Sequence, residues 1–213
     1  MKGLLMKDFK LIKARGLVVL FVVVGYAILQ LGTGNFEMSV GFTTLLFSIF
    51  SITSITYDEY ENGMPFLFTL PITRKEYVRE KYVFGFLLAT VTWVVMSVVG
   101  LVYECFVRMD GVGVLPEKLA FTGTYLLVVY FMVSFEIAMK LKFAERSGLA
   151  TMIVMAVMGV LIMLVYTTFN LSTEIMIAEF FGVGLLIGIA AVFVVMMFGL
   201  YRWSIRIMET REF

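Results

Sequence analysis

Six apolar stretches, each near the length that crosses a bilayer, constrain this chain more than any motif in it. At about 1.5 Å of rise per residue, roughly 20 apolar residues cover a hydrocarbon core about 30 Å thick. The stretches run 16–34, 40–56, 82–103, 119–139, 148–169 and 176–201. With 61% hydrophobic residues over 213 positions, the chain is too apolar to stay dispersed in water as a soluble domain. The connections are short, so the expectation is one transmembrane domain over 1–213, an all-α polytopic membrane protein with six transmembrane helices.

The net charge of +1 hides an asymmetry between the two sides of such a bundle. Fifteen of the 17 Lys and Arg fall in the leader, the second and fourth connections and the tail, and only Arg108 and Lys118 fall on the other side. Cytoplasmic segments of membrane proteins carry the excess of basic residues. Both termini and the segment 57–81 are therefore expected in the cytoplasm. There is one cysteine and no histidine, which excludes an intrachain disulfide and a histidine-based catalytic triad, and argues against a zinc site. No G-x-x-x-x-G-K-[S/T] phosphate loop is present. If ATP is used, another chain binds it.

The segment 57–81, YDEYENGMPFLFTLPITRKEYVREK, combines nine charges with a short apolar run. Its spacing predicts that the second span continues to Glu61 and stops at Asn62-Gly63, glycine being the usual helix terminator. Pro65 suits the first turn of a short helix over 65–70. Thr73 and Glu76 form a capping box for a helix that starts at Arg74 and runs into the third span. Phe66, Leu67, Phe68 and Leu70 form a contiguous apolar group between Asp58, Glu59 and Glu61 on one side and Arg74, Lys75 and Arg79 on the other. This reads equally as an apolar contact for a soluble partner with a polar rim and as an interfacial helix whose phenylalanines dip into lipid.

In the leader, residues 1–15, Leu5, Phe9 and Ile12 recur at helical spacing while Lys7, Lys10 and Lys13 point mostly elsewhere. That pattern is an amphipathic helix lying in the headgroup layer. Glu136, near the inner end of the fourth stretch, has Lys140 four residues on and on the same face. The pair reads as structural, with a gating or substrate role as the other possibility. Met152, Met155 and Met158 share a broad face of the fifth stretch, suited to lining a route for apolar cargo or to ordinary helix packing. No other charge falls deep in a span, which counts against proton or sodium coupling.

Met-Lys-Gly-Leu-Leu-Met-Lys-Asp at 1–8, Tyr57-Asp58-Glu59, Leu70-Pro71-Ile72-Thr73-Arg74-Lys75-Glu76-Tyr77-Val78 and Lys81-Tyr82 together give a chain that resembles small ABC-2 type transporter permeases of bacteria. The specific motifs lie in the first 82 residues. The resemblance implies the transmembrane subunit of an ABC exporter in the bacterial cytoplasmic membrane. Two permease chains, identical or different, would stand side by side among membrane lipids, each docked on a separate cytoplasmic ATPase that holds ATP and Mg. It further implies that 58–73 is the coupling segment, with Asp58, Glu59, Glu61, Phe66, Leu67, Phe68, Leu70, Arg74 and Lys75 as its contact residues, and that 1–15 is the interfacial helix. No cofactor is expected on this chain, no catalysis, and no nucleic-acid partner. Cargo in relatives of this size includes amphipathic peptide toxins and bacteriocins. Two other classes compete: an ATP-independent secondary transporter, and a non-transporting immunity or scaffold protein.

Overall fold

The computed structural model describes residues 2–14, 17, 21–26, 28, 36–60, 63–103, 115–143 and 178–211. Among these the regular elements are all helical: α1 (Lys2–Ala14), α2 (Phe36–Ser48), α3 (Phe50–Glu59), α4 (Gly63–Leu67), α5 (Arg74–Tyr103), α6 (Leu115–Phe143) and α7 (Ala178–Thr210).

α2 and α3 are two parts of one rod with a turn at Ile49 between them. The rod buries Ser39, Thr43, Thr44, Ser48, Ser51 and Ser54. Several of these hydroxyls donate into their own helix: Thr43 to the Ser39 carbonyl at 2.8 Å, Thr44 to Val40 at 2.7 Å, Ser48 to Leu45 at 2.6 Å and Ser51 to Ser48 at 2.8 Å. Back-bonding of this kind satisfies a polar side chain away from water and bends the helix that carries it. The bend falls where Ser48 takes the Leu45 carbonyl that the Ile49 amide reaches only at 3.4 Å.

α5 packs against this polar face at Gly85. A Cβ there would stand 2.6 Å from Val133 Cγ1 of α6 and 3.3 Å from Ser51 Oγ of α3. Glycine is what lets three helices meet at that level. The main core lies just beside it: Ile55, Tyr77, Val78, Tyr82, Ala89, Val129, Val133, Ile137, Leu141 and Met208 are buried together. Tyr82 crosses it, donating to the Ser134 carbonyl at 3.1 Å, standing 2.8 Å from Ser204 Oγ, and meeting the Tyr201 ring edge-on at 5.2 Å. One side chain thus links α5, α6 and α7.

The expected count of six spans is corrected by the structure. Among the described residues three helices are long and apolar enough to cross a membrane: Ser39–Glu59, Arg74–Tyr103 and Ala190–Thr210. They take up the second, third and sixth stretches. The fourth, 119–139, lies in α6 and is not one of them. There Val129, Met132, Val133, Ile137, Ala138 and Leu141 are buried along with Ser134, Glu136 and Lys140. A helix apolar on every side is what both a membrane span and a protein-enclosed helix look like in sequence, so hydropathy alone does not separate them. The first stretch is described only at Leu17, 21–26 and Ile28, and the fifth, with Met152, Met155 and Met158, lies outside the described residues.

Outward faces are apolar. Val91, Val94, Val95, Val98, Val99 and Val102 of α5 are exposed, as are Val192, Val194, Val195, Met196 and Phe198 of α7. α5, with 30 residues, reaches about 45 Å at 1.5 Å per residue, half again the hydrocarbon thickness.

Candidate functional site

Charged residues of α1 and of the ends of α3, α5, α6 and α7 converge at one end of the bundle, α3 supplying acids and the others mostly bases, and two ionic clusters hold them there. Lys81 is the centre of the first. About two turns into α5, its ammonium is wholly buried, 2.5 Å from Asp8 Oδ2, 2.9 Å from Asp58 Oδ2 and 3.4 Å from Glu80 Oε2, and it donates to Ser54 Oγ at 2.6 Å. Lys7 of α1 also donates to Asp58, and the Tyr77 hydroxyl donates to Asp58 Oδ2 at 3.1 Å. The Tyr77 ring lies 5.2 Å beneath the same ammonium. Burial would push the Asp8 carboxyl up, but the charge and hydrogen bond of Lys81, the Ser54 hydroxyl and the Lys7 charge hold it below its ordinary value. The remaining Asp8 oxygen, 3.4 Å from Lys7, makes no hydrogen bond, and neither Glu80 oxygen makes one.

α1 seats itself on the protein through the same contacts. Leu4 and Asp8 are buried, Leu5 and Ile12 pack on Phe50, Phe84 and Leu88, and Phe9, though partly exposed, meets Phe84 edge-on at 5.5 Å. Lys10 and Lys13 are exposed. The apolar stripe expected to face lipid is therefore largely turned onto α3 and α5, and it is Asp8, part of the motif at 1–8 but given no role from the sequence, that fixes it there.

A second cluster sits on the other side of α3. Glu59 accepts from Arg211 at 3.0 Å and lies 3.4 Å from Lys140, while Arg211 also reaches the Leu141 carbonyl at 3.4 Å. Lys140 is thus brought to Glu59, and Glu136 Oε1, buried one turn above it, has no hydrogen-bond partner. Arg74 grips the last turn of α7, donating to the carbonyls of Met208 and Glu209 at 3.0 and 2.8 Å, and Lys75 lies 3.3 Å from Glu209. Cations over the free carbonyls of a helix C-terminus are favourable because those carbonyls have no partner in the helix.

Between Asp58 and Arg74 the chain makes the elbow. α3 ends at Glu59, with Tyr60 extended at φ −62° and ψ 135°. The expected stop at Asn62-Gly63 is thus two residues late, and Gly63 begins α4 instead. A Cβ on Gly63 would lie 2.8 Å from the Asp58 carbonyl, so its role is close approach of two backbone segments. After Leu67 the chain continues in tight turns: Thr69 N–H donates to Phe66 at 3.1 Å, Leu70 to Leu67 at 3.3 Å and Ile72 to Leu70 at 2.6 Å. The capping box forms as its spacing predicts, Thr73 N–H donating to Glu76 Oε2 at 3.0 Å and Glu76 N–H to Thr73 Oγ1 at 3.2 Å. The base of the elbow is packed, with Met64 buried, Leu67 and Phe68 against the core, and Phe68 edge-on to Tyr77 at 5.8 Å. Its tip is not. Phe66 is 74% exposed, Tyr60 69% and Leu70 46%.

A family model described as ABC-2 family transporter protein matches residues 3–209. The chain belongs to the ABC-2 transporter family. Comparison with curated proteins and with solved structures gave no match. As an ABC-2 permease it is a multi-pass, non-catalytic membrane subunit, and permeases of this family generally pair with a cytoplasmic ATPase subunit. Among the described residues no group of three or more His, Cys, Asp or Glu is placed to hold a metal ion.

Of the residues that the sequence put in a coupling role, those of this permease divide in two. Phe66, Leu70 and Lys75 face outward; Asp58, Glu59, Leu67, Phe68 and Arg74 are engaged within the protein. Glu61 lies outside the described residues. The buried centre, Lys81 with Asp8 and Glu80, was missed. The available signals were an isolated acid in a basic leader and a lysine at the point where the charged Arg79-Glu80 gives way to Tyr82-Val83-Phe84.

Proposed function

We propose that this permease is the membrane half of an ATP-driven exporter, and that the elbow at 60–72 receives the motion of a separate ATPase that holds ATP and Mg. The observation that carries this reading is an exposed Phe66 at the tip of a segment whose base is packed and hydrogen-bonded. Partner contacts draw most of their energy from a few apolar anchors that are buried on binding. A rigid base lets a push at such an anchor travel into α3 and α5 as rigid-body movement. Asp58 and Glu59 belong to the base, where they join α1, α6 and the tail to the same lever. A second permease chain completes the pathway in this proposal. The cargo class, amphipathic or hydrophobic and including peptides, follows from the resemblance of 1–82 to small bacterial exporters.

The experiment is copurification of the solubilised permease with its ATPase, and ATPase stimulation by the permease. Phe66→Asp with Leu70→Asp is expected to abolish association by more than tenfold while the protein still inserts and remains monodisperse. Undiminished association of that variant, with the protein still folded, would return the elbow to a lipid-dipping role.

A further inference from the structure

α5 and α7 leave a cleft between them at the basic end, open to the side of the bundle. Its volume is about 340 Å³, and its walls are Val83 and Phe86 of α5 and Val194, Phe198 and Tyr201 of α7, with Arg79 at one end. That volume falls in the range of small-molecule sites, about 300–1,000 Å³. Tyr82 also lines it, but its hydroxyl is turned away to Ser134 and Ser204, leaving the cleft wall apolar.

The two helices present the same order of chemistry. On α5, Arg79 is followed toward the middle of the helix by Val83 and Phe86; on α7, Arg202 and Tyr201 are followed in the same direction by Phe198 and Val194. Seven residues of helix from Arg79 to Phe86 give an apolar wall about 10 Å deep. Arg202 does not line the cleft itself but rests on the ring of Phe198, which does, 4.7 Å from its centroid. Arg74 and Arg211 are taken up by carbonyls and by Glu59, whereas among the described residues no ion pair or hydrogen bond occupies Arg79.

We propose that this cleft seats an acyl chain of an anionic phospholipid from the adjacent leaflet, with its phosphate held between Arg79 and Arg202. A free phosphate has no use for the apolar wall, and a zwitterionic lipid gains less from two uncompensated guanidinium groups. Basic pockets between transmembrane helices are where anionic headgroups bind, and guanidinium matches phosphate geometry in a bidentate fashion.

Native mass spectrometry of the detergent-purified permease, titrated with phosphatidylglycerol or phosphatidylcholine, tests this. Phosphatidylglycerol should be retained over phosphatidylcholine. One arginine near an anionic headgroup contributes about a fivefold factor, so Arg79→Gln should cost about fivefold and Arg79→Gln with Arg202→Gln about twenty-five-fold. Val194→Trp, which fills the cleft and leaves the charge unchanged, should release the lipid as well. Equal retention of the two lipids would overturn the proposal. So would retention of phosphatidylglycerol by folded Val194→Trp, which would mark a surface charge effect. Displacement by inorganic phosphate at the lipid's own concentration would make this a bare anion site. A lipid-free dimer of the chain that Val194→Trp dissociates would make the cleft a contact between copies. Either outcome also overturns it.

Discussion

Asp58 and Glu59 are neighbours at the end of α3, yet they serve two clusters of different character. A step of about 100° around a helix turns Asp58 toward Lys81, Lys7 and Tyr77 and Glu59 toward Arg211 and Lys140. The Lys81 cluster is dry at its centre, where Lys81 and Asp8 have no exposed side-chain surface, and it meets water through Lys7, 38% exposed. The Glu59 cluster has no such centre: Glu59 and Lys140 each keep some exposed surface and Arg211 is 26% exposed. Dry charges stabilise only as a set, because each alone would carry an uncompensated desolvation cost. Charges at a rim interact through water and salt, and most such pairs contribute about 1 kcal/mol or less. The first cluster should act as a structural centre and the second as an adjustable fastening.

The largest effect expected is at the centre. Lys81→Met strands Asp8, Asp58 and Glu80 with only Lys7 to oppose them, and breaking a buried ion pair from one side costs about 3–5 kcal/mol. Thermal unfolding in detergent should show it; a loss no greater than that of Arg211→Ala would erase the distinction between the clusters. Next comes Asp8→Asn, which removes a hydrogen bond to a buried charge worth about 1.5–3 kcal/mol. Because the folded carboxyl titrates below its ordinary 3.8, its contribution is complete above that value and is lost as pH falls through the lower, folded one. The stability gap between the native chain and Asp8→Asn should therefore close on acidification from about pH 5 downward. A gap that widens on acidification would show that Asp8 is not held as a carboxylate. The smallest effect is Arg211→Ala, at about 1 kcal/mol or less at low salt and fading toward 1 M salt, where the screening length is about 3 Å. A loss of Arg211→Ala stability that ignores salt would place Glu59 in the dry class.

The local grammar of the elbow could be read in the sequence because its causes are local. Thr73 and Glu76 are three residues apart and satisfy each other's amides, and Pro65 sits in the first turn of a short helix as its missing N–H allows. The pairings of the site could not be read that way. Lys81 meets Asp8 across 73 positions and Arg211 meets Glu59 across 152, and nothing in a single chain's spacing encodes those distances. Phe68 was grouped with Phe66 for the same reason. The two are the same residue type two positions apart at one elbow, and only the packing of Tyr77 separates a wall from a tip. The count of spans failed differently. α6 is as apolar as a lipid-facing helix, but much of its surface is taken up by protein.

Arg74 has a mechanical meaning beyond its role as a cap. Its guanidinium pins the first residue of α5 to the last turn of α7, 134 and 135 positions away, while Tyr82, about two turns further along α5, pins it again through Ser204. Two pins on one shaft remove the freedom to swivel. α5 and α7 should turn as a single crank, with the elbow as its handle.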